Sequence, residues 1–239
     1  MYLQDEFRQG EQSARTLRLE HSAEEPLELC LLHPARRALH DACHHIQRSA
    51  DADGDGHPEL REMVTGDILD MLSQGRLDAA VIAIDVDLHR AAAVPMFDEP
   101  LVVLVPRNHP WAGRTDLSTD ELEEQQLLLL DEGNCLRDQT LALCQRYSSH
   151  PPAAVATTLS TVVRMVVHGV GITVVPEGAL RMLDHEDYAV ARFAGRGPVR
   201  RIGIVHRTSS SRSEDFTRLA KVLTRLAADA GLPMLPLNG

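Results

Sequence analysis

Apolar residues along this chain fall into two kinds of run. Short stretches at Leu27–Leu32, Ala79–Ile84, Leu101–Val105, Leu127–Leu130, Gly171–Val175 and Arg201–Val205 have the length and continuity of strands buried on both faces. Longer stretches with helical spacing lie between them: Ala35–Gln47, Thr65–Ser73 with Gly75 just past its end, the residues after Asn134, and Ser160–His168 stopped by Gly169. Ser118 and Glu121 have the spacing of a capping box before a short helix. A long closing helix starts at Ser213, with Phe216, Leu219, Leu223, Leu226 and Ala227 on one stripe. Near the start, a weaker amphipathic stretch (Leu3, Phe7, Ala14, Leu17) is broken by His21–Pro26, and Ser49–Pro58 is a polar, Asp/Gly-rich loop. This alternation predicts an α/β fold with largely parallel sheets covered on both faces. The length favours two small α/β lobes over one doubly wound sheet, with a sensor or ligand site expected in the crevice between them.

Composition narrows the functional class. Aromatics are only 3% of residues, which leaves the core to aliphatic side chains and argues against base-stacking platforms. The net charge of −11 repels phosphate backbones, so this chain alone is not expected to bind DNA. The polar, acidic start is unlike a signal peptide, and no apolar run approaches the ~18 residues of a membrane span. Four cysteines in such a chain read as thiols, ligands or redox groups, and the expected compartment is the cytoplasm.

The segment Leu127–Cys144, LLLLDEGNCLRDQTLALC, carries the most chemistry. Asn134 occupies an N-cap position, which puts Cys135 in the first turn of a helix. The helix N-terminus and Arg137 both favour a thiolate there. Cys144 lies nine residues on. On one continuous helix the two cysteines are separated by about 13 Å, whereas a disulfide needs Cα atoms within roughly 7 Å. A structural bridge fits that geometry poorly. A redox switch fits it: oxidation of Cys135 to a sulfenic acid, then attack by Cys144 with refolding of the segment between. The other reading of Cys144, beside Leu141 and Leu143, is a small buried hydrophobe.

Gly133-Asn134-Cys135-Leu136-Arg137-Asp138-Gln139, followed by Cys144, resembles the redox-switch segment of the OxyR-like members of the LysR-type transcription regulators. Leu69–Ile84, Val94–Ala112, Thr157–Pro176 and Arg200–Arg207 resemble, in order, further pieces of the LysR-type effector domain, so that the likeness runs from about Pro26 to Ala228. The resemblance implies two Rossmann-like lobes of periplasmic-binding-protein type: residues 26–95 plus 203–239 as the first, and 96–202 as the second, which carries the switch. It implies Cys135 as the peroxidatic and Cys144 as the resolving cysteine, and puts Asn134, Arg137, Asp138 and Gln139 in the switch environment. By the same resemblance Thr65 belongs to the peroxide pocket and Arg201 lies near the thiolate. It implies a homodimer or tetramer, no cofactor, no membrane partner, and a peroxide sensor that is not an enzyme. DNA would be reached only through a winged helix-turn-helix domain absent from this chain, with residues 1–25 as a remnant of its linker helix. Two departures stand out. Asn134 replaces the histidine common before the peroxidatic cysteine, and Leu32-His33-Pro34-Ala35 falls where a peroxide-positioning threonine is usual. Proline has no side-chain donor, which implies slower or differently arranged peroxide activation, and a second reading follows: a domain that binds a small effector and has lost peroxide sensing.

Other constellations compete with this one. Asp51, Asp53, Asp55 and Gly56, with Glu62 at the twelfth position, fit a calcium-loop spacing. Pro58 stands where such loops carry a hydrophobic residue, and the resemblance makes Glu59–Glu62 a strand, so an acidic solvated loop is the preferred reading. His40, Cys43, His44 and His45 crowd one helical stretch; His40 and His44 share a face, which is half of a metal site, so a metal-responsive variant is a weaker third reading. Cys30 sits in an apolar run and reads as core, and Arg207–Arg212 reads as a solvated loop. No phosphate-binding glycine fingerprint or nucleophile elbow is present.

Overall fold

The apolar runs at 79–83, 101–105 and 128–130 lie in strands whose side chains are buried on both sides. This computed structural model describes residues 28–31, 59–61, 63, 65–88, 91–131, 135–147, 152–183 and 187–237. The amphipathic start, the helical stretch 35–47 and the acidic loop 49–58 lie outside them. The chain divides into unit 1, Met1–Phe97 with Ile202–Leu232, and unit 2, Asp98–Arg201 with Pro233–Gly239. The boundaries fall inside two strands, β4 (Ala91–Pro106) and β9 (Val199–Arg207), which each run from one unit into the other.

In unit 1, β1 (Glu28–Leu31) pairs in parallel with β2 (Glu59–Arg61) and with β3 (Ala79–Ala83). The far side of β3 pairs antiparallel with β9, from Ala79↔His206 to Ala83↔Ile202. Helix α1 (Thr65–Ser73) buries Ile68, Met71 and Leu72 against Leu77, Ala80, Ile82 and Val205. Arg207 Nη1 donates to the carbonyls of Leu72 and Leu77, so the end of α1 is capped from β9. The closing helix α4 (Ser213–Asp229) buries Phe216, Leu219, Ala220, Leu223 and Ala227, nearly the stripe read from the sequence.

Unit 2 is built around β4, which pairs antiparallel with β7 (Thr173–Pro176) and β8 (Tyr188–Arg192). Successive side chains of a strand point to opposite faces, and here both faces are covered. Leu101, Val103 and Val105 pack with Trp111, Leu117 and Phe193, while Val102 and Leu104 pack with Leu128, Val162, Val166 and Val175. A second, parallel pair is formed by β5 (Leu128–Leu130) and β6 (Ala154–Ala156). Helix α3 (Leu159–Val167) starts on a Thr158 cap, and Gly169 then takes a left-handed φ of 75°, a conformation that costs glycine little.

Several expectations are revised. The sheets are mixed rather than largely parallel, because the long strands β4 and β9 enter antiparallel to β3, β7 and β8. Strand β4 extends ten residues before the expected Leu101–Val105 run, through Pro95 and the acidic pair Asp98-Glu99. Strands β6 and β8 have no counterpart among the expected ones. The capping box at Ser118 and Glu121 is formed, but it opens a 3₁₀ segment, Thr119–Glu124. The sequence reading kept residues 203–239 together; in the structure Pro233–Gly239 group with unit 2, where Leu235 exchanges backbone hydrogen bonds with Asp98 in both directions.

Candidate functional site

The switch segment folds as a strand, a turn and a helix. β5 ends at Leu130, and α2 runs unbroken over Cys135–Tyr147. Leu136 and Thr140 are buried on its inner side, one turn apart, and Leu143 packs against the same core as Trp111 and Leu122. Arg137 Nη1 donates to the Leu130 carbonyl at 3.0 Å, which ties the first turn of the helix back to the strand before it. Thr140 Oγ1 donates to the Leu136 carbonyl at 2.8 Å.

The capped 3₁₀ segment packs against α2. Its geometry is held by Arg114, whose guanidinium meets Glu121 Oε1 at 2.7 Å, while Glu121 Oε2 accepts from the Ser118 N–H at 2.9 Å. The hydrogen bond from Arg114, then that from Ser118, holds the Glu121 carboxyl below the usual carboxylate range. This contribution is present above the ordinary glutamate range and fades as the pH falls through the lowered value.

Cys135 is the first residue of α2 and Cys144 lies inside it, nine residues along one continuous helix. At 1.5 Å per residue their backbones are about 13 Å apart along the axis. Arg137, Asp138 and Gln139 follow Cys135 on the same helix. Asp138 is exposed, while both amide atoms of Gln139 are shielded from solvent without a hydrogen-bond partner among the described residues. Asn134 lies outside the described residues. Thr65 belongs to unit 1, where it is the first residue of α1; it is 7% exposed, and its Oγ1 has no hydrogen-bond partner among the described residues. Arg201 is in unit 2, where its Nε and Nη2 engage both carboxylate oxygens of Asp98 at 2.8 and 3.3 Å.

Arg201 leads to a network that the sequence reading passed over. Asp98, 1% exposed, also accepts from Arg196 at 2.7 Å, and the same Arg196 Nη2 donates to the Pro236 carbonyl. The neighbouring Glu99 is 0% exposed and pairs through Oε2 with Arg200, itself 2% exposed, at 2.7–2.8 Å. Its other oxygen accepts from the Gly178 N–H at 3.1 Å. The acidic pair just before the apolar run of β4 and the arginine pair at the start of β9 were the available signal: charges there must find each other when the strands are covered.

The candidate calcium ligands Asp51, Asp53, Asp55 and Glu62, and the stretch with His40, Cys43, His44 and His45, lie outside the described residues. Among the described residues no group of three or more His, Cys, Asp or Glu is placed to hold a metal ion, and no helix is long and apolar enough to cross a membrane.

Comparison with known proteins agrees with this architecture. The model of the LysR substrate binding domain matches residues 44–228. A probable hydrogen peroxide-inducible genes activator of Mycobacterium leprae is 38% identical over 165 residues, 68% of this chain and 53% of that protein. The chain thus spans about half the length of the curated relatives it matches. Among solved structures, a mutant of Corynebacterium glutamicum OxyR superposes with a TM-score of 0.76 at 33% identity, covering 95% of this chain and 73% of that one. The reduced OxyR regulatory domain of Pseudomonas aeruginosa gives 0.66 at 28% identity, covering 84% of this chain and 97% of that one. The chain belongs to the LysR substrate-binding domain family, and within that family it is an OxyR-like regulatory domain.

Proposed function

We propose that this domain senses hydrogen peroxide and switches through a reversible disulfide between Cys135 and Cys144. The Cys135 thiolate attacks one peroxide oxygen; the O–O bond breaks, Cys135 becomes a sulfenic acid and hydroxide leaves. The Cys144 thiol then attacks the Cys135 sulfur, an S–S bond forms, and the sulfenic hydroxyl leaves with a proton as water. Each switching event consumes one peroxide, so the domain is a sensor rather than an enzyme. Arg201, oriented by Asp98, is the proposed stabiliser of the thiolate.

The observation that carries this reading is helix α2 itself. It has one cysteine at its N-terminus, where free backbone N–H groups favour a thiolate, and the second too far along the same helix to bond without unwinding it. Such a pair makes a conformational signal out of a redox event. The likeness to proteins named for induction by hydrogen peroxide supports the same reading. The parent regulator would work in the cytoplasm as a dimer or tetramer and reach DNA through a helix-turn-helix domain outside this chain.

Thiol trapping and mass spectrometry after one equivalent of hydrogen peroxide test the reading. The wild type is expected to give a Cys135–Cys144 disulfide within seconds. Cys144→Ser should stop at the sulfenic acid, and Cys135→Ser should give neither product. Thiols that stay reduced for many minutes, with a melting temperature that responds to a small metabolite, would favour an effector-binding domain that has lost peroxide sensing. The Thr65 hydroxyl, unpartnered among the described residues, suits that second reading.

A further inference from the structure

The inner side of α2 differs from those of α3 and α4. α3 presents Val162, Val163 and Val166 to the core, and α4 presents Phe216, Leu219 and Leu223. On α2 the corresponding stripe reads Leu136, Gln139, Thr140 and Leu143, so polar side chains hold two of its four positions. Thr140 is satisfied by the Leu136 carbonyl one turn back. Gln139 is not: its Nε2 and Oε1 are both withdrawn from water, and neither has a hydrogen-bond partner among the described residues. A buried amide in this state forfeits its hydration without recovering it. The loss is borne only while the helix is folded, because an unwound segment returns the amide to water.

We infer that Gln139 sets the redox poise of the switch: its unpartnered amide destabilises the helical dithiol form and so favours the disulfide. The inference rests on the Cys135–Cys144 exchange proposed above and adds why that exchange is poised to run. Closing the disulfide requires α2 to unwind, and the orphaned amide lowers the cost of unwinding. Gln139 is a positioning residue in this account, acting through the stability of the helix rather than through contact with peroxide. An apolar residue of the same length would hold α2 shut.

Equilibration of the purified chain in glutathione buffers of graded ratio measures the poise. There, each protein disulfide closes as two thiols lose two electrons to oxidised glutathione, which leaves as two molecules of reduced glutathione. Gln139→Met is expected to move the equilibrium toward the dithiol by roughly tenfold, about 30 mV less negative for a two-electron couple. Gln139→Glu, which buries a carboxylate at the same place, moves it the other way. Sulfenic acid formation at Cys135, read in a Cys144→Ser background, reports on the peroxide step separately from the poise. Gln139→Ala, which needs no fit for a longer side chain, must shift in the same sense as Gln139→Met. A wild-type disulfide combined with unchanged potentials in the Met and Ala variants overturns the inference alone, as does a Met variant whose sulfenic acid forms more slowly at an unchanged potential. A wild type that forms no disulfide overturns the underlying switch, and this inference with it.

Discussion

Replacing Arg200 with methionine lowers the stability of unit 2 by about 3–5 kcal/mol, the usual cost of stripping one partner from a buried ion pair. The magnitude follows from the burial of both groups: Glu99 is 0% and Arg200 2% exposed, and the guanidinium engages one carboxylate oxygen through two nitrogens. Methionine fills much of the same space but leaves the Glu99 charge without a counter-ion. Trp111 is the single tryptophan of the chain and is buried in unit 2, so its fluorescence during urea unfolding reports on this unit. Pairing the change with Glu99→Gln, which can still accept from Gly178, removes the stranded charge. The double variant should therefore lose clearly less than the sum of the two single losses. A loss below about 1 kcal/mol for Arg200→Met would mean that the pair is solvated rather than buried.

Gly178→Ala should cost about 2–4 kcal/mol through the same carboxylate. A methyl at this position would sit 2.4 Å from Glu99 Oε1, the oxygen that accepts from the Gly178 N–H. Glu99 must then withdraw, losing that hydrogen bond and disturbing its alignment with Arg200. The backbone of Gly178 is outside the left-handed region, so its own conformation adds no strain in the variant. The urea midpoint followed by Trp111 fluorescence checks this prediction. In the Arg200→Met background the alanine costs less than in the wild type, because the carboxylate it displaces has already lost its partner. Equal costs in the two backgrounds would show that the contact between Gly178 and Glu99 is independent of the ion pair.

How much of this was legible in the sequence depends on where the physical signal is local. The runs at 79–84 and 127–130, the helix at 65–73 and the closing helix from Ser213 are found where their periodicity places them, because apolar spacing and caps are written in neighbouring residues. The helical first turn at Cys135 was legible for the same reason. The first ten residues of β4 were not. Pro95, Asp98, Glu99 and Pro100 carry the marks of a loop, and they lie in a strand because Asp98 and Glu99 find arginines roughly a hundred positions away. The short strands β6 and β8 owe their existence to pairing with β5 and β4, which no window of their own residues reports. At the site, the sequence offered Gln139 only as part of a matching motif. Its burial without a partner is a tertiary property, since it depends on which face of α2 meets the core.

The most direct test of the account is hydrogen exchange across α2 before and after one equivalent of peroxide. Amides from Gln139 to Tyr147 are expected to lose protection as the Cys135–Cys144 disulfide forms, while those of α3 and α4 keep theirs. A disulfide that forms with α2 as protected as before would contradict it, because the two cysteines cannot bond across an intact helix.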